Sequence, residues 1–138
     1  MIRNFSTVAL AVALSGALTS AADAVAVQGV VRDVPYVIGF APLNSSTQPY
    51  VGQMHLNFNN GIISGRYTDI SIKPGSPFAN GYNLPVSGGV SGDGNVTLIV
   101  RQVTFRGTMK GTWMSGSATI HGRIYTFEAE QGSPGSGR

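Results

Sequence analysis

The chain has 138 residues, enough for one domain, and contains no cysteine. Nine lysine and arginine residues against six acidic residues give a formal net charge of +3. These scattered charges exclude a phosphate-tracking patch, so we expect no nucleic-acid binding, although weak contact with an anionic envelope surface stays open. The missing cysteines exclude disulfides, thiolate metal sites and a cysteine nucleophile.

The N-terminus has the pattern of a signal peptide. A basic start precedes an apolar run over residues 8–18, and small residues at Ala22 and Ala24 fit the site that signal peptidase cuts. The run is too short for a membrane-spanning helix, which needs roughly 20 apolar residues. We expect cleavage after Ala24, with Ala22 and Ala26 as alternatives.

This division leaves a mature domain over residues 25–131 and a flexible tail over residues 132–138. The short signal is of a bacterial type. We therefore expect an exported protein, periplasmic or extracellular.

The mature chain shows strand periodicity and no sustained helical pattern. Residues 25–31 and 34–40 predict the first two strands. Asp33 and Pro35 interrupt the pattern, and Pro35 lies near the start of the second strand, where a missing amide is tolerated. Residues 41–49 are rich in proline and small polar side chains and predict a loop.

Residues 50–68 contain the clearest hairpin. Apolar and polar residues alternate on both sides of Asn60-Gly61, a dipeptide that favours a two-residue turn. Folding the chain there places three pairs on one apolar face: Met54 with Tyr67, Leu56 with Gly65, and Phe58 with Ile63.

The second half continues in the same manner. A proline-rich loop over residues 73–85 precedes alternating strands over residues 84–90 and 96–100. The stretch 103–113 alternates throughout, and a bend near Arg101-Gln102 would separate it from the strand before it. Ser115-Gly116 predicts the next turn.

The last strand region covers residues 118–129. Its alternation changes phase at His121-Gly122, which indicates either a bulge or a tight turn. With seven to nine short strands in total, the sequence predicts an all-β antiparallel meander closed as a barrel of about eight strands. A two-layer sandwich is the alternative.

The sequence offers no catalytic constellation. His55 falls on a polar strand face and His121 in a predicted bulge or turn, so we expect no metal site and no cofactor. Asp69 points to the apolar side if the hairpin alternation continues, or into water if the strand ends there. No serine sits in a Gly-x-Ser-x-Gly turn, and we expect a protein that is not an enzyme.

Two candidate binding sites emerge. Tyr67, Gly107, Gly111 and Trp113 would wall a pocket for a small apolar ligand at one barrel mouth, if the glycines leave space there. The alternative is that the glycines admit an aromatic ring from across the barrel or relieve strand coiling.

The second candidate is a protein-binding loop that carries Phe78 and Tyr82 on a proline-stiffened backbone. The alternative is that both rings fold back and plug the barrel end.

The functional prediction is an exported, soluble, non-enzymatic barrel that binds a small apolar molecule or a protein partner. A structural or envelope-associated assembly protein is the alternative. A small outer-membrane barrel, with its apolar face turned to lipid, is a weaker one.

Overall fold

The computed structural model describes residues 29–133, which form eight strands and no helix. The predicted signal peptide, residues 1–24, and the end of the predicted tail, residues 134–138, lie outside this range. The strands are β1 (Val30–Pro42), β2 (Tyr50–Asn59), β3 (Ile62–Asp69), β4 (Leu84–Val90), β5 (Asn95–Val100), β6 (Val103–Lys110), β7 (Trp113–Ile120) and β8 (Arg123–Gln131). Over the described range, no helix has the length and apolarity needed to cross a membrane.

Each strand pairs antiparallel with the next, and β8 pairs with β1, so the sheet closes into a barrel. The predicted meander of about eight strands is confirmed. The two-layer sandwich is wrong, because closure leaves no unpaired sheet edge between two layers.

The β2–β3 hairpin has the predicted register. Three inward pairs lie opposite each other: Met54 and Tyr67, Leu56 and Gly65, Phe58 and Ile63. Asn60 and Gly61 form the turn with φ angles of 51° and 88°. Positive φ at both central residues is what this turn requires, so the local sequence sets the register.

Apolar side chains from alternate strand positions fill the barrel. Several aromatic rings meet at the end of the barrel where β1 finishes. The ring centroid of Phe105 lies 5.6 Å from that of Phe40 and 5.3 Å from that of Phe127. Phe78, from the β3–β4 loop, lies 5.7 Å from Phe40. We call this end the aromatic end.

Strands β6 and β7 approach each other closely at a pair of glycines. Gly107 on β6 and Gly116 on β7 lie directly opposite each other. A Cβ atom on Gly107 would overlap the carbonyl oxygen of Ser115, and one on Gly116 would overlap that of Arg106. Glycine at these positions therefore permits tight strand coiling, and neighbouring backbone occupies the space a side chain would need.

The first strand differs from the prediction. Residues 25–28 of the first predicted strand lie outside the described range. Its last residues, Val30 and Val31, belong to the same strand as residues 34–40, β1, because a bulge absorbs the interruption between them. The register shifts between Val31 and Val34, Asp33 has a φ of 58°, and its N–H donates to Asn57 Oδ1 at 2.8 Å. A bulge of this kind inserts one residue without ending the ladder.

The predicted turn at Ser115-Gly116 is wrong, and so is a single strand through Trp113. The chain turns at Gly111, with a φ of 61°, and at Thr112, so Trp113 begins β7 opposite Lys110. Directly opposed residues share a sheet face. Trp113 therefore points outward with Lys110, although the alternation along the sequence predicts an inward side chain.

Two ambiguous positions are resolved as tight turns. Arg101-Gln102 separates β5 from β6, and His121-Gly122 separates β7 from β8. Arg101 and His121 have φ angles of 56° and 52°.

The outer face of the barrel is predominantly polar. Outward residues such as His55, Arg66 and Glu128 alternate with buried apolar ones. This is the reverse of the orientation that a small outer-membrane barrel requires.

Candidate functional site

The β3–β4 loop inserts Phe78 into the barrel. Its ring lies 5.0 Å from that of Tyr67, and the side chain is only 1% exposed. Tyr82, in the same loop, is 75% exposed. The two aromatics predicted to form one binding surface are therefore separated. Phe78 plugs the aromatic end, because the apolar interior buries its ring, and only Tyr82 faces solvent.

Asp69 holds this loop in place. Its Oδ1 accepts hydrogen bonds from the hydroxyls of Ser71 and Ser76, each at 3.0 Å, and of Tyr67 at 3.4 Å. Ser76 Oγ in turn accepts the N–H of Phe78 at 3.0 Å. Burial, followed by the charge of Asp69, raises the pKa of Tyr67. The carboxylate that ends β3 thus has hydroxyl partners in a partly buried position.

The four residues predicted to wall one pocket do not meet. Tyr67 is buried at the aromatic end, whereas Gly111 lies in a turn at the opposite end. Gly107 is covered by the β7 backbone, and Trp113 faces outward. Of the four residues, Trp113 is the one that lies on the outer surface of the barrel.

Trp113 lines a groove of about 650 Å³ on the outside of the barrel, centred on β8. We call it the β8 groove. Because β8 closes the sheet against β1, the groove joins residues from both ends of the described chain. Its outward lining comprises Val37, Gly39 and Ala41 of β1, Thr126, Glu128 and Glu130 of β8, Trp113 and Ser115 of β7, and Pro49 of the β1–β2 loop.

Strand register arranges the groove in rows. Glu130 lies between Trp113 on β7 and Val37 on β1. Glu128 occupies the next row, between Ser115 and Gly39. Gly39 has no side chain, and the Pro49 ring lies about where one would be, with its Cβ 3.9 Å from the position of an added Gly39 Cβ.

The two glutamates give the groove negative charge. Both are exposed, alternating with buried Phe127 and Ala129, and neither forms an ion pair within residues 29–133. Trp113 is half-buried beside them. An indole face next to carboxylates attracts cations through the ring quadrupole and through charge-assisted hydrogen bonds. The groove is therefore suited to a cationic group with apolar neighbours.

A second polar cluster lies on β1 and β2. His55 Nδ1 is 3.1 Å from Asp33 Oδ1, and His55 Nε2 is 3.4 Å from Gln53 Nε2. The imidazole is 47% exposed and the carboxylate 79%. Among the described residues, no three potential metal ligands of the His, Cys, Asp and Glu types lie together.

Sequence alternation does place Glu128 and Glu130 on one face, as the structure has them. It gives no sign that β1 lies beside them, since that contact depends on closure of the barrel. A turn predicted at Gly111 and Thr112, in place of a continuous strand, would have placed the Trp113 side chain on the outer face.

The fold and this groove define a closed eight-stranded antiparallel barrel with a candidate binding site on its outer wall. No protein-family model, curated protein or solved structure matches the chain. Function is accordingly inferred from the groove and its chemistry.

Proposed function

We propose that this chain is a non-enzymatic binding protein that holds a protein partner in the β8 groove. The observation that carries the proposal is one groove that contains an indole, Trp113, and two carboxylates, Glu128 and Glu130, which form no ion pair with another residue of the range 29–133. Aromatic anchors dominate the energetics of protein interfaces, and charged neighbours orient the partner.

Packing favours this outer site over a small apolar ligand inside the barrel. Phe78 and Tyr67 fill the aromatic end of the barrel, and both are buried. A ligand entering there would have to displace a ring that the loop holds through Ser76 and Asp69. A partner in the β8 groove needs no such rearrangement.

The proposal includes export. Residues 1–24 carry a basic start, an apolar run and small residues at the cleavage position. The partner would then be another periplasmic or extracellular protein.

A photo-crosslinking amino acid at Ser115, inside the groove, tests the proposal in the cells that make the protein. The matched control is the same substitution at Ser87, an exposed position on β4 away from the groove. We expect a defined cross-linked protein from Ser115 and none from Ser87. Equal cross-linking from both positions, or none from Ser115, would contradict the proposal.

A further inference from the structure

We propose that Tyr36 and Gln131 form an internal binding site for a single water molecule where β1 closes the barrel against β8. Two buried polar atoms define the site: the hydroxyl oxygen of Tyr36 and Oε1 of Gln131, neither of which has a hydrogen-bond partner within residues 29–133. The site lies inside the barrel and is separate from the β8 groove on its outer wall.

The strand register brings the two side chains to one place. Tyr36 and Gln131 lie directly opposite each other on β1 and β8, so both side chains are on the inward face. The neighbouring pair carries the ladder hydrogen bond, in which the N–H of Gly132 donates to the carbonyl of Pro35 at 2.9 Å. Tyr36 and Gln131 are therefore a non-hydrogen-bonded pair, the type in which the Cα atoms lie only about 4.5 Å apart and the side chains are closer.

Apolar groups surround the ring of Tyr36. Its side chain is fully buried, its ladder neighbour on β2 is Met54, and its ring centroid lies 6.4 Å from that of Phe58. This burial raises the pKa of Tyr36. A hydroxyl that is buried without a partner costs free energy, and most such groups in proteins bond to another protein group or to ordered water.

Gln131 connects this region to the solvent. It is the last residue of β8 and is half-buried, although its Oε1 lies inside. Its backbone N–H donates to the carbonyl of Thr112 at 2.9 Å, which holds the residue at this end of the barrel. Tyr36 is four positions before Phe40 on β1, roughly 13 Å along the strand from the aromatic end, so the Phe78 plug does not cover the site.

One water molecule satisfies both atoms. Its oxygen accepts the O–H of Tyr36, and one of its own O–H groups donates to Oε1 of Gln131. Water also suits either orientation of the Gln131 amide, because it can accept from Nε2 as readily as it donates to Oε1. A larger solute would have to displace buried apolar side chains at this end, such as Phe58 and Ala129.

A high-resolution crystal structure of the protein tests the proposal. We expect one water oxygen roughly 2.7–3.0 Å from both the Tyr36 hydroxyl oxygen and Gln131 Oε1. In solution, magnetic relaxation dispersion of the water signal counts the water molecules that stay bound for longer than the protein takes to tumble. Its amplitude should fall by the equivalent of one water in the double variant Tyr36→Phe with Gln131→Leu. Tyr82→Phe, which removes an exposed hydroxyl, is the matched control and should leave the amplitude unchanged.

A direct hydrogen bond between Tyr36 and Gln131, or side chains packed together with no water between them, would overturn the proposal. Density larger than one water would also overturn it and identify a solute with a hydroxyl or amide group. An unchanged dispersion amplitude in a folded double variant would do the same, and if that variant does not fold, the crystal structure of the unaltered protein decides. Stability alone does not report on the site, because release of an immobilised water offsets the hydrogen bonds lost with it.

Discussion

The hydroxyl of Ser76 donates a hydrogen bond of 3.0 Å to Asp69 Oδ1 and so ties the β3–β4 loop to the end of β3. The same hydroxyl oxygen accepts the N–H of Phe78. A surface loop is thereby made part of the core, because the residue that it anchors fills the aromatic end of the barrel. The division of this loop into a buried and an exposed aromatic can be tested directly.

Phe78→Ala should lower the free energy of unfolding by about 3 kcal/mol, because it removes a fully buried ring and leaves a cavity among neighbouring rings. Tyr82→Ala is the matched control in the same loop, and its effect should stay below about 0.5 kcal/mol since the ring is exposed. Urea denaturation followed by circular dichroism measures both. Similar losses from the two variants would show that the loop is not divided in this way.

Two buried tyrosines should respond in opposite ways to loss of the hydroxyl. The hydroxyl of Tyr36 is buried and has no hydrogen-bond partner within residues 29–133, so Tyr36→Phe should be neutral or stabilise by about 1 kcal/mol. Tyr67→Phe removes a hydrogen bond to Asp69 and should destabilise by about 1 kcal/mol. Denaturation midpoints compared at neutral pH test the difference, and a loss from Tyr36→Phe as large as that from Tyr67→Phe would refute it.

Stability should fall at alkaline pH. Burial raises the pKa of Tyr36, and burial together with Asp69 raises the pKa of Tyr67, whereas tyrosines in the unfolded chain ionise near pH 10. Above that pH the unfolded chain releases protons that the folded chain retains. The stabilisation is therefore complete below about pH 10 and is lost as pH rises, by about 1.4 kcal/mol per pH unit for each buried tyrosine.

Urea midpoints between pH 8 and pH 11.5 measure this slope, and Tyr36→Phe should reduce it. A midpoint that stays constant up to pH 11.5 would mean that neither hydroxyl is buried.

A glycine of the barrel wall and a glycine of a turn should differ in their tolerance of a side chain. Gly107→Ala should destabilise the protein by more than about 2 kcal/mol, since the added methyl group would overlap the backbone of β7. At Gly92 nothing lies within 4 Å of an added Cβ, so Gly92→Ala should be neutral or slightly stabilising. If Gly107→Ala were tolerated equally well, the strands would have to be farther apart than the structure places them.

Local chemistry was enough to predict much of this fold. Asn60-Gly61 specifies the turn, and the flanking alternation specifies the register, so the β2–β3 hairpin was predictable pair by pair. The stretch 103–113 shows where such patterns mislead. One continuous strand and two strands joined by a two-residue turn give the same alternating sequence pattern when glycine occupies the turn, as Gly111 does.

The candidate site was less predictable because closure of the barrel creates it. Val37 and Glu130 become neighbours only when β1 pairs with β8, a contact between the two ends of the domain. The side-chain pattern of either strand specifies which face is outward, but it does not specify which strand lies beside it. The role of Phe78 depended in the same way on a long-range contact, with Phe40 and Tyr67.

The β8 groove is tested most directly by the affinity of the Ser115-cross-linked partner, once purified, for two single variants. Trp113→Ala should weaken binding by at least 10-fold, because it removes the aromatic anchor of the groove, while circular dichroism checks that the barrel remains folded. Tyr82→Ala, which alters the exposed aromatic of the β3–β4 loop, should leave the affinity unchanged. Loss of binding in Tyr82→Ala with full affinity in Trp113→Ala would contradict binding in the groove and locate the partner on the loop instead.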